Sequence, residues 1–184
     1  MSLHNPNLFV VSGGPGSGKT TVLLELAEFG FGHAPEVARK IIREQVEAGG
    51  AALPWGDQEA YVNLMLLRSI DSFLAHTPAH GLMFSDRGIP DTLCYSRLIG
   101  LQETRYIEMA CERYRYARRV FLAPPWKEIY ETDTERKQDF AEAERTYREM
   151  AEVYRKCGYE STELPRATPA ERAQFILREL HQDV

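Results

Sequence analysis

The feature that most constrains the fold of this chain is a glycine-rich run that ends in lysine and threonine. Residues 13–20 read GGPGSGKT and satisfy the pattern GxxxxGK(S/T) in full. Residues 8–11 before the run favour a β-strand, and residues 20–29 after it carry apolar side chains at helical spacing. A strand, a glycine-rich loop and a helix in this order are typical of a phosphate-binding loop (P-loop), so we expect an α/β fold around it.

Each part of this P-loop has a chemical task. Glycines allow several backbone N–H groups to converge on phosphate oxygens, and the N-terminus of the following helix adds partial positive charge. Lys19 is expected to reach the β- and γ-phosphates of a nucleoside triphosphate, and the hydroxyl of Thr20 is expected to bind Mg²⁺. The residues predicted to bind the nucleotide are Gly13, Gly14, Pro15, Gly16, Ser17, Gly18, Lys19, Thr20 and Thr21.

Short apolar runs alternate with helical patterns along the rest of the chain. Five runs are predicted strands: residues 8–11, 31–35, 82–84, 120–123 and 159–164. Such alternation favours a parallel sheet with helices on both faces, so we predict a doubly wound, three-layer α/β fold with one domain over residues 1–184. Asp57 and Thr168 are expected to cap helices. Residues 61–74 are apolar on most sides and predict a central helix or a dimer face.

The composition excludes several classes of protein. The chain has 184 residues, 43% of them hydrophobic and 27% charged, as in globular proteins and unlike disordered ones. Its formal net charge of −5 argues against nonspecific binding to nucleic acid or to anionic membranes. A basic cluster is therefore interpreted as a solvated helix end rather than as a nucleic-acid groove. That cluster consists of Arg113, Arg115, Arg118 and Arg119.

Cysteine usage and hydropathy bear on the compartment. Three cysteines without a CxxC pair argue against a disulfide framework and against a thiolate zinc site. No apolar run approaches the roughly 18 residues that a membrane span needs, and residues 1–7 lack the charged head of a signal peptide. These features predict a cytoplasmic protein that has no membrane partner.

The end of the third predicted strand carries an acidic and a basic residue side by side. Residues 84–88 read FSDRG, so Asp86 is expected to bind Mg²⁺ directly or through water, and Arg87 to neutralise phosphate charge. The alternative is an exposed ion pair at a strand-end turn. Asp91, further along, is either a supporting residue of this site or a helix cap. The chain lacks the (N/T)KxD signature of GTPases, which favours ATP, and it lacks a water-activating glutamate beside Asp86.

The P-loop, the Asp-Arg pair and a charged segment after the fourth strand resemble those of nucleoside and nucleotide kinases. More narrowly, the chain resembles a family of small bacterial P-loop proteins described as AAA-type predicted ATPases. That family is related to the nicotinamide riboside kinase domain of bacterial NAD regulators. The matching stretches are residues 9–20, 35–39, 84–91 and 134–140. The resemblance implies a kinase-like fold with strand order 2-3-1-4-5.

The resemblance also implies a role for a carboxylate just beyond the second predicted strand. In nucleoside kinases a carboxylate at this place contacts the acceptor hydroxyl and takes its proton, which makes Glu36 the candidate general base. Arg39, one turn further along, would hold Glu36 or a phosphate. From the residues alone, Glu36 is a helix-start glutamate that the helix dipole favours, with Arg39 as its i, i+3 partner.

Residues 127–156 are dense in charge and predict a helical lid, because a closing segment can bring positive charge to a transferring phosphoryl group. Arg136 is the lid residue expected to contact that charge, while the role of Lys137 is left open. The alternative is a solvated helix face, which is the commoner role of a run of charges.

Together these features predict an ATP- and Mg²⁺-dependent kinase that transfers the γ-phosphoryl group to a small, nucleoside-like acceptor bounded by residues 55–67. The predicted catalytic residues are Lys19, Glu36, Asp86, Arg87 and Arg136. The predicted metal ligands are Thr20 and Asp86. Two alternatives keep the same site, namely an ATPase that acts with a protein partner and an ATP-sensing module without turnover. The sequence leaves the acceptor's identity and the oligomeric state open.

Overall fold

The computed structural model describes residues 2–77, 81–129 and 140–181. In chain order its elements are β1 (Leu3–His4), β2 (Leu8–Gly13), α1 (Lys19–Glu28), β3 (Gly32–Ala34), α2 (Val37–Ala48), α3 (Gln58–His76), β4 (Met83–Asp86), α4 (Ile89–Leu98), α5 (Arg105–Arg113), β5 (Tyr114–Arg115), β6 (Arg119–Ala123), α6 (Phe140–Lys156), β7 (Glu160–Glu163) and α7 (Pro169–His181). A short 3-10 turn covers Lys127–Ile129. None of the described helices is long and apolar enough to cross a membrane.

Five of the strands form one parallel sheet in the order β3-β4-β2-β6-β7. Numbered by their position along the chain, these strands run 2-3-1-4-5, which confirms the expected kinase-like order. The central strand β2 is paired with both neighbours so that Val11 lies beside Asp86 and Gly13 beside Ala123. Because all five strands are parallel, the loops that follow them meet at one edge of the sheet.

Alternate residues of the central strands divide the core into two parts. Val10, Val120 and Leu122 pack with α3, α4, α5 and α6 on one face of the sheet. Val11 and Phe121 pack with α1 and α7 on the other face. Consecutive side chains of a strand point to opposite faces, so an unbroken apolar run buries a sheet on both sides. The predicted three-layer arrangement is thereby confirmed.

Two predicted helix caps are present. The Asp57 carboxylate accepts a hydrogen bond from the backbone N–H of Ala60 at the start of α3 (3.0 Å). At the start of α7, the backbone N–H of Thr168 donates to Glu171 (2.9 Å), and the backbone N–H of Glu171 donates to the Thr168 hydroxyl (3.3 Å). This reciprocal pair is a capping box, which satisfies two N–H groups that lack partners within the helix.

The surroundings of α3 differ from the prediction. Val62 is fully buried, but Leu67 and Leu74 are 58% and 44% exposed. The helix packs against α2 and α4 along one side and presents apolar residues to solvent along another. The prediction of a central helix is therefore wrong.

The sequence does not predict a second, two-stranded sheet in which β1 pairs with β5. Two residues per strand are too few for a recognisable alternating pattern. The pairing affects the arginine cluster, because Arg113 ends α5 whereas Arg115 lies in β5 and Arg119 in β6. Arg115 donates to the carbonyl of Cys157 (2.8 Å), and Arg119 pairs with Glu179 (2.9 Å). The interpretation of this cluster as one solvated helix end is wrong.

Candidate active site

A cleft of about 1090 Å³ opens at the edge of the sheet where the parallel strands end. Its walls come from the loops after all five strands, together with parts of α1, α2, α3, α4, α6 and α7. In doubly wound sheets ligands bind at this edge. Among the predicted site residues that the structure describes, Glu36, Arg87 and residues 15–21 line the cleft, whereas residues 13–14 and Asp86 lie outside its lining.

The shape of the P-loop depends on close approaches between backbone segments. A Cβ atom on Gly13 would lie 2.4 Å from the carbonyl oxygen of Ala123, so any side chain there would force β2 away from β6. Gly18 precedes α1 with a φ of 78°, in the left-handed region that glycine adopts at little cost. The Ser17 hydroxyl donates to the carbonyl of Gly14 (2.8 Å). The loop thus enters the N-terminus of α1 in the manner of an anion-binding site.

Lys19 is folded onto its own loop. Its Nζ donates to the carbonyl of Gly14 (2.9 Å) and to the Ser17 hydroxyl (3.3 Å), and the residue is only 6% exposed. Burial, together with the positive charge of Arg87, lowers the pKa of Lys19 to about 8, although nearby carboxylates oppose this shift. Near neutral pH the amine of Lys19 therefore stays mostly protonated. A bound phosphate would stabilise this charged form further.

The lowered pKa of Lys19 predicts a pH-dependent affinity for ATP. Phosphate favours the charged amine, so the pKa of Lys19 in the complex should lie above its value of about 8 in the free protein. ATP binding then takes up a proton above pH 8, and ATP affinity falls as the pH rises through that value. Calorimetric titrations from about pH 7 to about pH 10 measure both effects.

The control for this pH series is Lys19→Arg, because a guanidinium stays protonated throughout and should remove the dependence. If wild-type affinity stays constant across the range, Lys19 does not contact the phosphates in the way its position indicates.

Glu36 lies at the start of α2 and lines the cleft. Its Oε1 accepts a hydrogen bond from Arg87 Nε (2.8 Å), and its Oε2 lies 3.1 Å from Arg39 Nε. Burial disfavours the charged carboxylate, but neighbouring cations, with Arg87 first, outweigh burial and hold the pKa of Glu36 at about 2. The expected i, i+3 pair with Arg39 is present, yet the side chain makes no capping hydrogen bond in the described α2. Glu36 is therefore an ionised carboxylate fixed from two sides.

Arg87 connects this carboxylate to the phosphate side of the cleft. Its Nη1 donates to the carbonyl of Gly13 (3.0 Å) and to Asp91 Oδ1 (3.2 Å). Burial disfavours the charged guanidinium, but the carboxylates of Glu36 and Asp91 outweigh burial and raise the pKa of Arg87. Arg87 has a φ of 72°, and no other non-glycine residue in the described ranges has a positive φ. A left-handed arginine costs of order 1 kcal/mol, so the surrounding contacts must hold this backbone in place.

Asp91, in the first turn of α4, supports Arg87 in turn. Its oxygens also accept hydrogen bonds from Ser12 Oγ (2.5 Å), from the Tyr154 hydroxyl (2.5 Å) and from the backbone N–H of Gly88 (2.8 Å). The bond from Gly88 caps α4, while the other two tie α4 to β2 and to α6. The two roles that the sequence leaves as alternatives are both filled, because Asp91 caps a helix and holds a residue of the cleft.

Asp86 ends β4 behind the wall of the cleft. It is buried and borders a second cavity of about 10 Å³ with Ser69, Ser72 and Ser85. Burial raises the pKa of Asp86, and its Oδ1 has no hydrogen-bond partner among the described residues. An unpartnered carboxylate oxygen and the exposed hydroxyl of Thr20 offer the oxygen donors that Mg²⁺ prefers. The described ranges contain no cluster of three His, Cys, Asp or Glu side chains that could hold a metal by itself.

The part of the cleft formed by α2, α3, α4 and the loop before α3 is mostly aromatic and apolar. Burial, then the charges of Tyr95 and Glu36, raise the pKa of Tyr61, and Tyr61 and Glu36 both line the cleft. The rings of Tyr61 and Tyr95 meet edge to face with 5.5 Å between their centres. The apolar and aromatic residues lining this part include Ile42, Trp55, Tyr61, Met65 and Tyr95.

Arg172 is a charged residue of the cleft that the predictions made on the sequence omit. Arg172 in α7 is 2% exposed, and its Nη1 donates to the carbonyl of Ser17 (2.8 Å). The sequence does contain a signal, because Arg172 precedes Ile176 and Leu180 at intervals of four residues and so lies on the buried face of α7. A charged residue on an apolar helix face needs specific partners, and here a partner is the P-loop backbone.

The predicted lid residues Arg136 and Lys137 lie outside the described residues, so the lid stays a prediction. The described parts of the segment are the 3-10 turn Lys127–Ile129 and α6, which packs Met150 and Val153 into the core. Thr146, in the same helix, lines the cleft. Helix α6 therefore forms part of the cleft wall.

Comparisons with known proteins agree with this architecture. No curated protein matches the sequence significantly. The crystal structure of NadR protein in complex with NR is similar over 97% of this chain, with a TM-score of 0.75 and 17% identity. This chain spans about half, 51%, of the NadR chain.

Two smaller kinases have the same fold over nearly their whole length. Shikimate kinase from Acinetobacter baumannii, in complex with shikimate, has a TM-score of 0.55 and 17% identity, with 96% of this chain and 94% of that chain covered. Thymidylate kinase from Ehrlichia chaffeensis has a TM-score of 0.65 and 14% identity, with 95% and 100% covered. The profile of a family described as an AAA domain matches residues 8–172. The chain therefore belongs to this AAA-domain family and has the fold of the P-loop kinases.

Proposed function

We propose that this protein is an ATP- and Mg²⁺-dependent phosphotransferase that moves the γ-phosphoryl group to a hydroxyl of a small, nucleoside-like acceptor. The observation that carries the proposal is the position of Glu36, an ionised carboxylate that lines the same cleft as the P-loop. A nucleotide-binding switch or sensor has no need of a fixed carboxylate beside an aromatic pocket. A kinase needs both, one to orient a hydroxyl and the other to hold the molecule that bears it.

On the phosphate side, Lys19 would contact the β- and γ-phosphates and Thr20 would bind Mg²⁺. Asp86 lies behind the cleft wall, so it would act on the metal through water. The bound Mg²⁺ would neutralise charge on the transferring group. Arg87 is held by Glu36, the Gly13 carbonyl and Asp91, so it would fix the acceptor side relative to the P-loop as well as contribute positive charge.

On the acceptor side, the low pKa of Glu36 defines what the carboxylate would do. A group with a pKa of about 2 is a weak proton acceptor, so it would bind and orient the acceptor hydroxyl rather than remove its proton early. Phosphoryl transfer with a loose transition state demands little deprotonation of the nucleophile before bond formation. Positioning by Glu36 is therefore sufficient: the hydroxyl oxygen forms its bond to the γ-phosphorus as the bond to ADP breaks, and the hydroxyl proton then passes to solvent.

The charges of the acceptor side favour a nucleoside over a nucleoside monophosphate. The described cations that line this part of the cleft are Arg39 and Arg87, and both pair with Glu36. A phosphate on the acceptor would compete with Glu36 for these two cations. An aromatic ring with an uncharged sugar fits the wall that contains Trp55 and Tyr61 without such a cost.

A second candidate function is ATP hydrolysis together with a protein partner, which the AAA-domain description of the family favours. Arg87 directly after Asp86 weighs against it, since the chain has no glutamate at this place to position water. A partner would have to supply that group.

The experiment that tests the proposal is ADP release from ATP and Mg²⁺, first alone and then with a panel of nucleosides, nucleoside monophosphates and pyridine ribosides. We expect saturable stimulation by one nucleoside-like compound, with its phosphorylated product identified by mass, and little stimulation by monophosphates. ADP release that is independent of every acceptor would favour the ATPase. Tight ATP binding without ADP release under any condition would contradict both enzymatic functions.

A further inference from the structure

The guanidinium of Arg172 joins separate loops of the cleft. Its Nη1 donates to the carbonyl of Ser17 in the P-loop (2.8 Å), and its Nε donates to the carbonyl of Pro165 in the loop between β7 and α7 (2.9 Å). Its Cζ lies 5.9 Å from the centre of the Trp126 ring, in the loop after β6. One side chain therefore contacts three of the loops that meet at the end of the sheet.

Stability alone gives a poor account of an arginine at this place. The residue is 2% exposed, and burial lowers its pKa. Among the described residues no carboxylate pairs with Arg172, and its Nη2 has no hydrogen-bond partner. Burial of a cation without a counter-charge, and with one donor group unsatisfied, is unfavourable, whereas an apolar residue would suit this face of α7. The contacts of Arg172 with the cleft loops give a better reason for an arginine at this position than stability does.

We propose that Arg172 is a positioning residue that couples recognition of the nucleobase to the shape of the P-loop. The proposal rests on the nucleotide site of the proposed function, though not on phosphoryl transfer. The base would stack on Trp126 and contact residues 167–169, which line the same cleft. Once the base orders these loops, Arg172 holds the Ser17 carbonyl against them. The following peptide group, that of Gly18, is thereby aimed at the phosphates.

The first test compares ATP with inorganic tripolyphosphate, which has phosphates and no base, by calorimetry in the presence of Mg²⁺. In Arg172→Met we expect the affinity for ATP to fall about tenfold and the affinity for tripolyphosphate to change less than about twofold. Equal losses for the two ligands would overturn the proposal, because Arg172 would then only brace the P-loop.

The second test combines Arg172→Met with Trp126→Leu in a double-mutant cycle. Each single variant should bind ATP about tenfold more weakly, and the double variant should lose little more than either one rather than the roughly hundredfold product. Losses that multiply would overturn the proposal, because independent contacts with ATP are additive in free energy.

Arg119→Met is the matched control for both tests. Arg119 also joins a strand to α7, through Glu179, but lies outside the lining of the cleft. Its loss should lower thermal stability and leave the ratio of the two affinities unchanged. If Arg172→Met does not fold, Arg172→Lys is used instead, because it keeps the charge and one donor nitrogen. The ratio of its affinities for ATP and tripolyphosphate then tests the proposal. Absence of ATP binding in the wild type would overturn the nucleotide site itself, whereas ATP binding without coupling overturns only the role of Arg172.

Discussion

Replacing Lys19 by alanine should lower the rate of phosphoryl transfer by about 10² or more. The amine is the buried cation of the P-loop, held by the Gly14 carbonyl and the Ser17 hydroxyl until phosphate binds. Its removal takes away positive charge that stabilises the transferring group in the transition state. The measurement is kcat for ADP formation with the acceptor that the panel identifies, together with the affinity for ATP.

The matched control is Lys40→Ala in α2, whose side chain is 69% exposed and lies 3.9 Å from Glu44. An exposed pair of this kind contributes little, so this variant should keep the wild-type rate. Thermal unfolding shows whether each variant is folded. Near-normal turnover in folded Lys19→Ala would remove Lys19 from the phosphate site and, with it, the simplest account of the P-loop.

Local patterns in the sequence were sufficient for most of the fold. The apolar run that contains Val10 and Val11 is buried on both faces, and the glycine-rich turn after it admits few alternatives because Gly13 touches the backbone of β6. The caps at Asp57 and Thr168 need only residues within one turn of the chain. Such features are set by contacts between near neighbours, which periodicity and turn chemistry describe.

Features that depend on distant contacts were not predictable in the same way. The pairing of β1 with β5 joins Leu3 to Tyr114, and nothing in either dipeptide indicates the other. The exposure of Leu67 shows that a mostly apolar helix can leave one side open to solvent, so composition alone does not place α3. Only the family resemblance implies the strand order, because spacing along the chain carries no information on which strands are neighbours.

The candidate site shows the same division. The sequence indicates Glu36 and Arg87 separately, but their hydrogen bond joins residues 51 positions apart. The sequence leaves two roles open for Asp91, because its partners Ser12 and Tyr154 come from distant parts of the chain. The consequence for chemistry is large, since this pairing changes Glu36 from a candidate base to a carboxylate with a pKa of about 2.

Glu36→Gln should reduce transfer to the acceptor by at least about 10² while ATP affinity changes less than about twofold. Glutamine keeps the shape of the side chain and an oxygen that can accept from Arg87, but it lacks the charge that binds the acceptor hydroxyl in the transition state. Arg87 retains Asp91 as a counter-charge, so the variant should fold. Single-turnover transfer and ATP titration of the same preparation measure the two quantities.

The control for Glu36→Gln is Glu44→Gln, which removes an exposed glutamate of the same helix. Stability in acid separates a structural from a chemical role. Because the pKa of Glu36 lies at about 2, below its ordinary value of 4.5, the carboxylate stabilises the fold above that ordinary value and loses this effect as the pH falls towards 2. Glu36→Gln should remove that acid-dependent part of stability, whereas Glu44→Gln should not. If transfer and ATP affinity fall by the same factor in folded Glu36→Gln, the carboxylate only holds Arg87 and the P-loop together, and another group must orient the acceptor.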